Sequence, residues 1–154
     1  MNNIIQLWNK LVAGLETLKN PALLAARLYV GWAFFASGLT KIRDWETTVA
    51  LFTDEYKIPV LTNLSPTLAA LMGTGGELIL PMLLVAGHFG RFAALGLFVM
   101  NIVAVISLSE IAPAALQQHQ FWGSLLAGLA IWGVGAWALE ATSWFKAKLK
   151  ALVG

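Results

Sequence analysis

The chain contains no cysteine. That excludes disulfide exchange, thiolate ligation of a metal and an iron–sulfur cluster held by this chain. It leaves the compartment open, because a cysteine-free protein suits either redox poise. Charge is scarce as well. Asp, Glu, Lys and Arg make up 12% of the 154 residues, against about a quarter in soluble domains. The formal charge is only +2. The basic residues gather toward the chain ends rather than in a patch, so no nucleic-acid partner is expected. No Gly-rich phosphate loop, metal-ligand cluster or Ser/His/Asp set occurs. No metal is expected, and the balance leans against an enzyme. Residues 1–20 also lack the continuous apolar stretch of a cleaved signal.

What fills the chain instead is hydrocarbon. Apolar residues make up 58%, mean hydropathy is +0.73, and there are seven Trp. This is the composition of an integral membrane protein. The expected fold is all-α: a four-transmembrane-helix bundle with an N-terminal interfacial amphipathic helix and a short outer-face helix. Ile4, Trp8, Leu11, Leu15 and Leu18 share one helical face, so residues 1–20 read as a helix lying on the bilayer surface. The membrane domain follows over 21–139, with spans at about 21–42, 66–87, 92–109 and 121–139. Residues 140–154 form a basic tail in which Lys146, Lys148 and Lys150 meet anionic head groups.

If four helices alternate, Lys10, Lys19, Arg91 and the three tail lysines share one side, against Lys41, Arg43 and Lys57 on the other. The positive-inside rule then puts both termini in the cytoplasm. In the outer connection, Trp45, Val49, Phe52 and Tyr56 keep helical spacing behind Asp44, a good N-cap, and Ile58-Pro59 ends the run. Trp122 and Trp144 flank span four as interfacial anchors.

The informative residues are the polar ones inside the spans. Arg27, Gly31, Phe34, Gly38 and Lys41 form a single helical stripe. Two cations and two glycines on one face point that face into the bundle, where glycine permits close helix approach. Glu77 falls midway along span two, between Gly73, Gly76 and the kink expected at Pro81. Asn101 falls midway along span three. At 1.5 Å per residue, Arg27 and Glu77 differ in depth by roughly 7 Å, which an extended arginine spans. An Arg27–Glu77–Asn101 network is therefore expected, with Lys41 snorkelling outward to water. An unpaired charge at that depth costs at least ~3 kcal/mol. Such a network is either a static lock on helix packing or the lining of a ligand or proton site. Gly31, Gly38, Gly73 and Gly76 are the expected packing positions. His88 and His119 fall at opposite ends of the bundle, which excludes a bis-histidine haem and makes each a surface histidine. Phe34, Phe35, Trp132 and Trp137 are expected to pack.

The stretches ARLYVGWAFFASGLTKI (with Arg27, Gly38 and Lys41), YKIPV, GGELILPMLLVAGHFGRFAAL (with Glu77, Gly87 and Arg91) and NIVAV together resemble the DoxX family of small bacterial four-helix membrane proteins. The likeness covers about residues 22–108; span four and both tails are generic. It implies a multi-pass protein of the bacterial inner membrane, associated with membrane redox or stress complexes. The function expected is that of an accessory protein whose Arg27/Lys41/Glu77/Asn101 interior holds a small amphipathic ligand such as a quinone, or supports an oxidoreductase partner. A purely structural or assembly subunit, alone or as a homo-oligomer, is the alternative. A small proton-coupled transporter is the third reading, weakened by the absence of an internal repeat.

Overall fold

A computed structural model describes residues 2–54, 64–108, 110–144 and 151. Tyr56, Lys57, Ile58, Pro59, Lys146, Lys148 and Lys150 lie outside the described residues. Five α-helices stand among the described ones: α1 Asn2–Arg43, α2 Trp45–Asp54, α3 Pro66–Ala86, α4 Gly90–Ser107 and α5 Pro113–Trp132. A short 3₁₀ turn, Leu139–Ala141, follows.

The residue chemistry explains most of these limits. α3 starts with Ser65, whose hydroxyl accepts the Leu68 amide at 3.3 Å, and has Pro66 in its first turn. It ends at Gly87, whose φ of 67° is the left-handed C-cap that glycine adopts without cost. α5 likewise has proline in its first turn and stops at Gly133, at φ 91°. Asp44 caps α2, accepting the Thr47 amide at 3.1 Å. Hydrogen bonds from the Thr47 side chain and backbone hold the Asp44 carboxyl below its ordinary pKa.

The long helices pack antiparallel in chain order. Gly31 abuts Val85 and Gly38 abuts Leu78 across α1 and α3; Gly76 abuts Met100 across α3 and α4. α5 lies against α4 and also reaches α1, and α2 packs over α3 and α1. Val30, Phe34, Leu84, Leu97, Leu126 and Leu129 form the shared core. Large apolar side chains also cover the outside, among them Trp32, Leu71, Ile79, Phe92 and Ile106. α1, α3 and α4 are each long and apolar enough to cross a bilayer. This is a membrane protein, in which tight packing and polar contacts, rather than escape from water, hold helix to helix.

Two elements differ from expectation. The surface helix and the first span are one continuous helix. Proline deletes a single backbone hydrogen bond, and the helix-favouring residues on either side carry the helix through Pro21. The fourth long helix covers 113–132 rather than 121–139. Its first two turns hold Gln117, Gln118, His119 and Gln120, which depress the apolar signal. The apolar residues 133–139 cannot continue the helix, because Gly133 and Gly135 have positive φ.

Candidate functional site

The polar residues of the interior form three separate stations rather than one network. The first lies between α1 and α3. Lys41 sits two residues from the end of α1, but its side chain runs back along the helix toward the N-terminus, the direction helical side chains favour. Its ammonium donates to Ser37 Oγ at 3.0 Å and to both Glu77 oxygens at 2.6 and 2.5 Å. Both side chains are mostly buried, 15% and 13% exposed. Lys41 thus turns inward onto Glu77 instead of snorkelling outward. The pair forms one wall of a cavity of about 300 Å³ whose other walls include Phe52, Met72, Gly73 and Met100. Gly38 brings α1 within contact of Leu78 and the Glu77 Cβ, and Gly73 leaves room for the Phe52 ring of α2.

Arg27 is the second station, and it does not meet Glu77. It is fully buried, with Nη2 donating to the Trp137 carbonyl at 2.6 Å and Nη1 to the Val85 carbonyl at 3.4 Å. The expected Arg27–Glu77 contact fails on register. Gly38 stands opposite Glu77, and Arg27 is eleven residues earlier, about 16 Å along the axis. At its own level Arg27 finds the carbonyl end of α3, where a cation is favoured. Glu140 lies near enough to act on its charge. The same end of the bundle carries two matching contacts. The Glu140 carboxylate accepts the Gly90 amide at 2.9 Å, at the N-terminus of α4, and Arg91 donates to the Ala130 and Ile131 carbonyls at the C-terminus of α5. Each charge complements the helix end it touches. The Asn20 side chain adds a fourth tie by accepting the Ala136 amide at 2.9 Å.

Asn101 is the third station, turned to α5 rather than to Glu77. Its amide nitrogen donates to the His119 carbonyl at 2.9 Å, and its oxygen lies 2.8 Å from His119 Nδ1. His119 is half-buried, not a surface residue. Trp122 is not an interfacial anchor either: its ring lies 5.9 Å from Phe34 and 5.1 Å from His119. Trp132 and Trp137, expected to pack, are exposed on the outside of the bundle, whereas Phe34 is core. The spacing of His119, eighteen residues from Asn101 across a hairpin, hid the contact. The polar run Gln117–Gln120 was the available signal that this end of α5 meets something other than lipid.

The family model described as DoxX matches residues 22–110. An uncharacterized protein of Haemophilus influenzae is 36% identical over 88 residues, covering 56% of this chain and 56% of that protein. The match therefore spans little more than half the length of that relative. No solved structure matches this chain.

Proposed function

The chain belongs to the DoxX family, whose model covers residues 22–110, and from that premise we propose that its business is done at the Lys41–Glu77 wall. The reading is a membrane protein, of four spans with both termini cytoplasmic in a bacterial inner membrane, that holds a small amphipathic ligand of quinone type in the cavity between α1, α3 and α4. In this reading it serves an oxidoreductase partner as a non-catalytic subunit. One observation carries the proposal. A mostly buried ion pair faces a cavity of about 300 Å³ whose remaining walls are apolar. A polar head against Lys41 and an apolar ring against Met72 and Met100 satisfy both surfaces. Arg27 and Asn101 belong to this reading only as supports, since their hydrogen bonds are spent elsewhere.

The second reading has its own observation. Lys41 and Glu77 satisfy each other and Ser37, as a static lock would require. The double variant Lys41→Met/Glu77→Leu separates the two. Replacing a buried ion pair with apolar residues is often neutral for stability, so the fold survives in either case. Binding of a short-chain quinone to the protein in nanodiscs, followed by quenching of Trp fluorescence, is expected for the wild type and lost in the double variant. Equal quenching in both, or none in the wild type, overturns the ligand reading and leaves the lock.

A further inference from the structure

The Asn101–His119 contact fixes more than a packing angle. The His119 carbonyl is an acceptor only, so the Asn101 atom facing it must be the amide nitrogen. That orients the amide and leaves its oxygen, also an acceptor, against the ring. The ring nitrogen facing an acceptor must carry the hydrogen, so Nδ1 is protonated in the neutral imidazole. The other nitrogen, Nε2, is then a bare lone pair. It has no hydrogen-bond partner among the described residues.

That lone pair belongs to a residue lining an open groove of about 430 Å³ between α4 and α5. The groove is separate from the Lys41–Glu77 cavity, sharing no lining residue with it. Its walls are apolar at Phe98, Ile102 and Ile106, and Gly123 keeps the floor low beneath Asn101. The Ser124 hydroxyl on the same wall is spent on the Gln120 carbonyl. An acceptor without a donor, at the edge of an apolar surface, selects a partner that brings a donor on an apolar body.

We propose that Asn101 locks His119 as the Nδ1–H tautomer, so that its bare Nε2 accepts a hydrogen bond from the hydroxyl of a membrane-dissolved amphiphile seated between α4 and α5. A molecule of the same shape offering only acceptors binds less well, because it leaves the Nε2 lone pair without a donor. The site thus discriminates by donor chemistry, which the ion-pair wall does not.

The test uses the full chain in nanodiscs with ¹⁵N-labelled histidine, in a His88→Gln background so that one imidazole reports. In the wild-type site the Nε2 resonance is that of an unprotonated nitrogen and Nδ1 that of a protonated one. A para-alkylphenol and a fatty alcohol are then titrated beside the methyl ether of the same phenol. The expected result is an upfield move of Nε2 with one or both hydroxyl probes, at least tenfold weaker or absent with the ether. Which hydroxyl probe acts tells an aromatic from an aliphatic source. His119→Phe should abolish the difference between phenol and ether, measured by partitioning of the probes. Protonation at Nε2 instead of Nδ1 overturns the proposal, as does no response to either hydroxyl probe, or an ether as effective as the phenol.

Discussion

At the scale of single residues, the decisive fact is that each interior charge has found the partner nearest along its own axis. Lys41 and Glu77 neutralise each other, and that predicts a specific pattern. Glu77→Gln leaves a mostly buried ammonium unpaired, and Lys41→Met leaves a carboxylate. Each single change should cost about 3–5 kcal/mol, while the double Lys41→Met/Glu77→Leu should come back to near wild type. Thermal unfolding in detergent by circular dichroism checks it, and additive single and double effects would contradict the pairing. Gly87 is the second sensitive residue. Its φ of 67° already disfavours a side chain, and a Cβ there would stand 2.4 Å from the Ala138 Cβ and 2.6 Å from Arg27 Nη1. Strain of about 1–2 kcal/mol and overpacking of about 1–3 kcal/mol should make Gly87→Ala clearly less stable than Gly75→Ala, where nothing stands in the way. The same melting experiment ranks them. Much of this was legible in sequence. Arg27, Gly31, Phe34, Gly38 and Lys41 do share a stripe, and Gly31 and Gly38 do sit where α3 approaches. The partners were not legible. Depth counted from span ends carries no information on which α1 residue faces Glu77, and about four turns of α1 separate the arginine from the lysine that takes its place.

At the scale of elements, the sequence marks helix ends well where the stop is conformational and poorly where it is compositional. Ser65-Pro66 and Gly87 bound α3 almost where expected. α5 was displaced because exposed glutamines, good helix formers, extend a helix that hydropathy alone misses, and apolar residues can follow glycines that break one. The short helix α2 depends on a single cap. The Asp44 carboxyl titrates below its unfolded value because hydrogen bonds from Thr47 favour its charged form. A folded pKa below the unfolded one contributes stability that is complete above the unfolded value, roughly pH 4, and fades as pH falls through the folded value. The protection of the Thr47 and Thr48 amides, taken relative to their intrinsic exchange rates, should therefore fall in acid. Asp44→Asn, which keeps an accepting oxygen without the charge, should flatten that acid response. The opposite end of the bundle rests on charges set against helix termini. Glu140→Gln weakens the contact at the α4 N-terminus and should cost about 0.3–1 kcal/mol, seen as faster exchange of the Gly90 amide.

At the scale of the whole molecule, the question is whether α5 crosses with α1, α3 and α4. Its antiparallel packing on α4 is continuous from Asn101–His119 to Arg91–Ala130, which returns the chain to the end where Asn20 and Arg27 hold residues 136 and 137. An α5 that failed to cross would have to abandon those four contacts. A 20-residue helix is also about 30 Å long, the thickness of the hydrocarbon layer. α1 is twice that length, so its exposed residues 3–19 extend past the bundle on the same side. The native chain has no cysteine, so single cysteines report topology against a silent background. Glu16→Cys and Ser143→Cys lie at one end of the bundle, and Asp54→Cys and Glu110→Cys at the other. In intact spheroplasts a membrane-impermeant maleimide should label Asp54→Cys and Glu110→Cys, and should reach Glu16→Cys and Ser143→Cys only after permeabilisation. Labelling of Ser143→Cys together with Glu110→Cys would mean that α5 lies on the surface. The Asn101–His119 and Arg27–Trp137 contacts could not then both exist in the membrane, and the bundle that isolates the Lys41–Glu77 wall from lipid would have to be rebuilt from three helices.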